Sequence, residues 1–198
     1  MIKAVVFDFG GVVFNNVMKY IYEKTSEKFG IDVLTMKNEA KPLLNEWERN
    51  NISSEDFWKS LASKLKIDDE ELLKDVWQQT FAENLAPNEK VFQIIEQLKE
   101  RGMKVAVLSN VSESFGEYHK SKSHYDAFFP VFLSYELNMA KPDKKIYEHV
   151  AEKMKLKPEE CVFVDDKDEN VMAAEECGMS AILFENAEQL QEELERLM

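Results

Sequence analysis

Long apolar runs are missing from this chain. A helix that crosses a bilayer needs roughly 20 consecutive, mostly apolar residues; the apolar runs here are the length of strands, and the first follows directly on Met1-Ile2-Lys3. Neither a membrane span nor a secretory leader is expected. Cysteine is nearly absent, since Cys161 and Cys177 are the only two and their spacing matches no metal or redox motif. That argues against a disulfide-stapled secreted domain, and a cytoplasmic location is the expectation. Six glycines and five prolines are too scattered to make a linker, and there is no internal repeat or low-complexity stretch. Positive charge is short as well: 25 Lys and Arg stand against 38 Asp and Glu, a formal net charge of −13. Phosphate-rich partners are held by clustered Lys and Arg, so nucleic acid and anionic membranes are not expected as partners. Many of the acids, such as those between Glu188 and Glu195, read as solvated helix faces.

What is present suffices for a core. A chain of 198 residues, 44% hydrophobic and 32% charged, fits one domain or one domain with an inserted module. Its first segment, Ile2 to Asp8, is nearly continuous in apolar and β-branched residues and ends on a carboxylate followed by Gly10-Gly11. A strand buried on both faces of a parallel sheet reads this way. Lys104 to Leu108, Cys161 to Val164 and Ser180 to Phe184 look similar, and Val131 to Leu133 more weakly so. Between them lie helical patterns at Asn88 to Arg101, Pro142 to Lys155, Asn170 to Cys177 and Ala187 to Leu197, with Gly102 and Gly178 just past two helix ends. The alternation predicts an α/β fold, a Rossmann-like parallel sheet with helices on both faces.

From about Asn15 to Glu83 the strand-like runs stop and helical spacing takes over. Glu39 to Arg49, Glu55 to Leu65 and Glu70 to Phe81 read as helices, with Ser53 or Ser54 and Asp68 as N-caps. Residues 15–83 are therefore expected to be an inserted all-helical cap, and residues 1–14 with 84–198 the core. An insertion that leaves beside Asp8 and returns near Pro87 must lie over the carboxyl edge of the sheet, where open α/β sheets bind ligands.

That edge collects polar residues. Asp8 ends the first strand, Ser109-Asn110 the second and Asp165-Asp166 the fourth, while Lys141-Pro142 follows the third. Each alone has a structural explanation, because Asp and Ser form loops and caps and Lys before Pro is an ordinary extended residue. Together, three carboxylates, a hydroxyl and an ammonium converge where the acids would repel one another unless a cation is bound.

Phe7-Asp8-Phe9-Gly10-Gly11-Val12, Leu108-Ser109-Asn110, Lys141-Pro142 and Val164-Asp165-Asp166 resemble the four ordered motifs of the haloacid dehalogenase superfamily, over essentially the whole chain. The helical insertion resembles its C1-type cap. The Asp-Asp pair and the segment Glu46 to Ser53 are similar to a subgroup that includes sugar-phosphate phosphatases. The resemblance implies that Asp8 is a nucleophile that becomes an aspartyl phosphate. Mg2+ would be held by the Asp8 carboxylate, the Gly10 carbonyl and the Asp166 carboxylate. Ser109 and the backbone of Asn110 would donate to phosphoryl oxygens, and Lys141 would neutralise charge on nucleophile and phosphoryl group. Asp165 and Asn170 would stand behind the ligands and orient them. In the cap, Trp47 and Arg49 are candidate substrate contacts, with core packing as the other reading of Trp47.

Position 10 breaks the pattern. Many phosphatases of this superfamily carry Asp two residues after the nucleophile, where it protonates the leaving alcohol and then activates water, and Gly10 has no side chain to do either. The expectation is a slow enzyme, a substrate with a good leaving group, or a proton supplied from the cap or by water. The alternative is a weak or inactive binding or regulatory protein on the same fold. A dehalogenase is disfavoured by the Asp pair, a mutase by Gly10, and a receiver domain by an acidic pair that comes late in the chain. The expected partner is a small phosphorylated metabolite, acted on by a monomer or homodimer. His119 and His124 read as a surface loop, His149 as a packed or exposed helix residue, and Met36, Met139, Met154 and Met172 as core.

Overall fold

The computed structural model describes every residue from Met1 to Met198. Strand β1 (Ala4–Phe7) leads into helices α1 (Met18–Phe29), α2 (Val33–Glu48), α3 (Ser54–Leu65) and α4 (Glu70–Asn84). The chain then alternates through α5 (Glu89–Glu100), β2 (Lys104–Ser109), α6 (Glu113–Ser121), β3 (Val131–Leu133), α7 (Ser134–Leu137) and α8 (Lys144–Met154). After a 3-10 turn at Pro158–Glu160 it closes with β4 (Cys161–Asp165), α9 (Asp168–Glu176), β5 (Ser180–Leu183) and α10 (Ala187–Leu197). No helix is long and apolar enough to cross a membrane.

The five strands are all parallel in the order β3-β2-β1-β4-β5. This is the α/β Rossmann-like sheet the strand spacing predicts. Its strand order reverses between β1 and β4, and a crevice opens at the carboxyl ends of such a pair. Phe7 is in register with Val164, so the residues that follow, Asp8 and Asp165, are neighbours across that crevice. Side chains alternate between the two buried faces. Val5, Phe7, Val107, Val162 and Val164 face an apolar layer that continues into α1–α4, whereas Ala4, Val6, Leu108 and Phe163 face α8 and α9.

Side-chain caps fix the starts of the inserted helices. Asp32 accepts from the Thr35 N–H, Ser53 from Asp56 and Asp69 from Leu72. The cap of α4 is thus Asp69, not the Asp68 expected, because Asp69 is the residue three before the free N–H of Leu72. Where the chain leaves and rejoins the sheet, Asn15 ties the two passages. Its side-chain amide donates to the Asn84 carbonyl at 2.8 Å and its side-chain oxygen accepts from the Ala86 N–H at 2.8 Å.

The interior of the helical segment is aromatic, and Trp47 is at its centre. Its indole stacks on Phe57 at 4.2 Å between centroids and meets Trp58 edge-on at 5.6 Å. Trp47 is therefore a packing residue, which corrects its assignment as a substrate contact. Met172 is also not core as expected but half exposed, with Met36 and Met154 buried. Truncating a buried aromatic leaves a cavity costing about 3–5 kcal/mol. Trp47→Ala is expected to lower unfolding stability by that order in a denaturant titration; unchanged stability with a raised KM would restore the substrate role.

Candidate active site

Asp8 leaves β1 buried, its N–H donating to the Val164 carbonyl at 2.7 Å. One carboxylate oxygen accepts from Lys141 Nζ at 2.6 Å, and the same ammonium donates to Asp165 at 2.6 Å. Lys141 is buried and lies 5.4 Å from the centroid of the Phe163 ring. Its main chain is clamped by Asn110, whose side-chain oxygen accepts from the Lys141 N–H and whose amide donates to the Lys141 carbonyl, both at 2.9 Å. The Asn110 side chain thus positions Lys141, a role the sequence does not reveal beside the backbone role expected of it. Ser134, also unanticipated, steadies the same loop by accepting from the Val111 N–H at 3.0 Å.

Asp165 is fully buried and fully engaged: besides Lys141 it accepts from the Lys167 N–H and from the Asn170 side chain, each at 2.9 Å. Asn170 is in turn held through its carbonyl by the Tyr147 hydroxyl at 3.0 Å. Both residues are buried, and neither lines the cavity above the sheet edge. Asp166 differs, because its Oδ1 is buried with no hydrogen-bond partner. The loop is shaped around it. Gly11 has φ +102°, and a Cβ there would come 2.2 Å from Asp166 Oδ2, so only glycine fits on both counts. Carboxylate oxygens of Asp8, Asp165 and Asp166 lie within 4.8 Å of one another.

Three carboxylates against one ammonium leave the cluster two charges short of neutrality. Burial pushes Asp8 up to about 7, with Asp165 and Asp166 adding to the shift and Lys141 opposing it. Burial and then Asp165 push Asp166 up as well. Burial also penalises the Lys141 ammonium, but Asp8 and Asp165 outweigh that and hold its pKa above the usual lysine value. Lys141 is therefore a fixed cation, and the uncompensated charge falls on the acids. The donor set fits Mg2+: hard oxygens only, a buried carboxylate oxygen without a partner, and the Gly10 carbonyl, which accepts no backbone hydrogen bond.

Above this floor is a cavity of about 140 Å³. From the sheet edge Asp8, Gly10, Ser109, Asn110 and Lys141 line it, and above them apolar side chains such as Phe14, Met18, Leu44, Phe81 and Phe115 alternate with polar ones, Asn15, Asn16 and Ser112 among them. The sequence-derived site residues are thus brought to one place, apart from those assigned to the cap. Trp47 is in the helical interior. Arg49 does not line the cavity either: its guanidinium pairs with Asp143 at 3.4 Å, and Asn50 next to it donates to Asn138 at 3.0 Å. These contacts fasten the end of α2 to the loops around α7 and α8.

Two charged residues to which the sequence assigns no role also line the cavity, Glu48 from α2 and Lys167 after β4. Leu44 and Glu48 are four apart and share a helix face, the available signal. His119 corrects the reading of a surface loop. It is buried on α6, lines the cavity, and its Nδ1 is 2.9 Å from Nδ1 of His124. Burial, then His124, lower its pKa to about 3, so it is neutral at pH 7.

Known proteins are similar to this chain. A sesquiterpene phosphatase of Aspergillus oryzae, astK, is 31% identical over 178 residues, 89% of this chain and 87% of that one. A phosphorylated carbohydrates phosphatase of Thermotoga maritima is 25% identical over 192 residues, covering 91% and 83% of the two chains. Among solved structures, a HAD family enzyme of Bacteroides thetaiotaomicron in complex with magnesium and inorganic phosphate superposes with a TM-score of 0.75 at 22% identity, over 96% of this chain and 99% of that one. The model of haloacid dehalogenase-like hydrolases matches residues 2–178, and the chain belongs to that family.

Proposed function

We propose that this hydrolase is a magnesium-dependent phosphatase of small organic phosphate monoesters that forms an aspartyl phosphate on Asp8, and that it acts in the cytoplasm. The observation that carries this reading is the charge imbalance of the acidic floor, with one oxygen of Asp166 buried and unpartnered. Asp8, Asp166 and the Gly10 carbonyl would hold the metal, which when bound would neutralise the floor and polarise a phosphoryl oxygen. Asp8 is the only carboxylate of the floor that also lines the cavity, so it is the one placed to meet phosphorus. Lys141 keeps its carboxylate oriented, and Ser109 beside it offers a hydroxyl to the phosphoryl oxygens. Residues 15–83 act as the cap that closes the cavity from above.

For the ester itself, the cavity favours an apolar body over a polyhydroxylated one. A sugar phosphate was expected from the cap segment, with Trp47 and Arg49 to grip it, and neither side chain reaches the cavity. The side chains that do reach it include Phe14, Met18, Leu44, Phe81 and Phe115, which can bury hydrocarbon at about 25 cal/mol per Å², with Asn15, Asn16 and Ser112 as the uncharged polar groups beside them. That one relative is a sesquiterpene phosphatase agrees with this preference.

Two outcomes are expected. With Mg2+ present, kcat/KM for branched alkyl or prenyl monophosphates should exceed that for hexose phosphates by at least about tenfold, the effect of roughly two buried methylenes, and Asp8→Asn should abolish both; the reverse order would reinstate the sugar ester. In thermal unfolding, Mg2+ at 100 times its Kd should stabilise the wild type by about 2.7 kcal/mol, and Asp166→Asn should lose that shift. An unchanged shift in Asp166→Asn would place the metal elsewhere.

A further inference from the structure

Glu48 is the last residue of α2 and the one carboxyl group besides Asp8 among the residues lining the cavity. We propose that Glu48 is the general acid and base of this site, supplied by the cap in place of a side chain at Gly10. The assignment rests on the phosphatase reading above and goes beyond it by naming the proton donor.

Elimination across the cavity leads to the same residue. Lys141 is committed to Asp8 and Asp165, His119 is neutral and paired with His124, and Ser109, Ser112, Asn15, Asn16 and Asn110 carry no exchangeable proton of suitable acidity. Of the two groups that remain, Glu48 and Lys167, Glu48 is the carboxyl, the group able to give a proton and take it back at neutral pH. Glu48 makes no hydrogen bond or ion pair with any other side chain, unlike Glu46, whose carboxylate accepts from Asn51 at 3.0 Å. The groups that face it are Lys167 from the end of β4, Lys141 from the loop before α8, Arg49 at the end of its own helix and Tyr22 of α1. Burial raises the Glu48 carboxyl above the ordinary range, and Lys167, Lys141 and Arg49 only partly offset it. A carboxyl poised closer to neutrality is what an acid that must also act as base requires.

The proton balance closes. As Asp8 attacks phosphorus and the ester P–O bond breaks, the leaving oxygen takes the Glu48 proton, giving the free alcohol, an aspartyl phosphate and Glu48 carboxylate. Water then gives a proton to that carboxylate while its oxygen attacks phosphorus. The P–O bond to Asp8 breaks, which yields inorganic phosphate and restores both acids.

General acid help matters most when the leaving group is poor. Glu48→Gln is expected to lower kcat for an alkyl phosphate by about 10²-fold or more, and for 4-nitrophenyl phosphate by less than about tenfold in the step that releases nitrophenol, read as the pre-steady-state burst. Since the acid form is the working one, the wild-type kcat/KM for the alkyl ester should fall as pH rises through the Glu48 pKa, and the variant should lack that limb. A Cβ at Gly10 would meet no atom within 4 Å, so Gly10→Asp added to Glu48→Gln should restore alkyl phosphate turnover. Persistent burst release of nitrophenol by Glu48→Gln shows that the variant is folded. If the variant slows release from both esters equally, or raises KM alone, Glu48 is a binding residue and the assignment falls while the phosphatase reading stands. If the wild type hydrolyses neither ester, both fall.

Discussion

One ammonium holds the acidic floor together. Lys141 sits 2.6 Å from both Asp8 and Asp165 in a place where removing a partner from a buried ion pair costs about 3–5 kcal/mol. Much of the surrounding structure serves to keep it there. Asn110 grips both main-chain groups of Lys141, and Asn170 and the Lys167 N–H occupy the second oxygen of Asp165. Both oxygens of Asp165 are therefore engaged within the protein. The unsatisfied capacity is concentrated on Asp8 and Asp166, which face each other across the β1–β4 crevice. A site that binds a cation and then a phosphoryl group needs such a division between acids that are used up in support and acids that are left open.

The core and the helical segment divide the work differently. The sheet edge supplies charge on a rigid scaffold, with β1 and β4 buried on both faces. The inserted helices supply hydrocarbon and a single carboxyl. They are joined to the sheet through the Asn15 crossing and through the Arg49–Asp143 and Asn50–Asn138 contacts. Glu48 precedes that pair of contacts directly, so the contacts that fasten the end of α2 to the core also fix the position of the carboxyl.

The sheet and its polar edge were legible in the sequence because a strand buried on both faces has to be apolar until it ends. Whatever polar residue follows Phe7, Leu108 or Val164 is at the ligand edge by construction. Helix α6 was not legible, since Ser112, Ser114, Gly116 and Ser121 give it the composition of a loop, and it is made helical by packing Phe115 and His119 under the inserted helices. The start of α2 was placed too late for a related reason. The helix expected from Glu39 begins at Val33 and carries Pro42 in its interior, where proline removes a backbone donor and disfavours a continuous helix. Glu48 and Lys167 could not be assigned from pattern, because each sits among acids and lysines of the kind that normally coat a surface. The cap contacts were misassigned by chemical type: Trp47 and Arg49 suit a sugar, but α2 turns the indole into the aromatic interior and Arg49 toward Asp143.

All of this turns on whether Asp8 bonds to phosphorus. The direct measurement is rapid quench of the wild type with Mg2+ during turnover, followed by borohydride reduction and peptide mass spectrometry. An aspartyl phosphate is reduced to homoserine, and homoserine is expected at position 8 and at no other aspartate. Homoserine at another aspartate, or turnover with none at all, would contradict it.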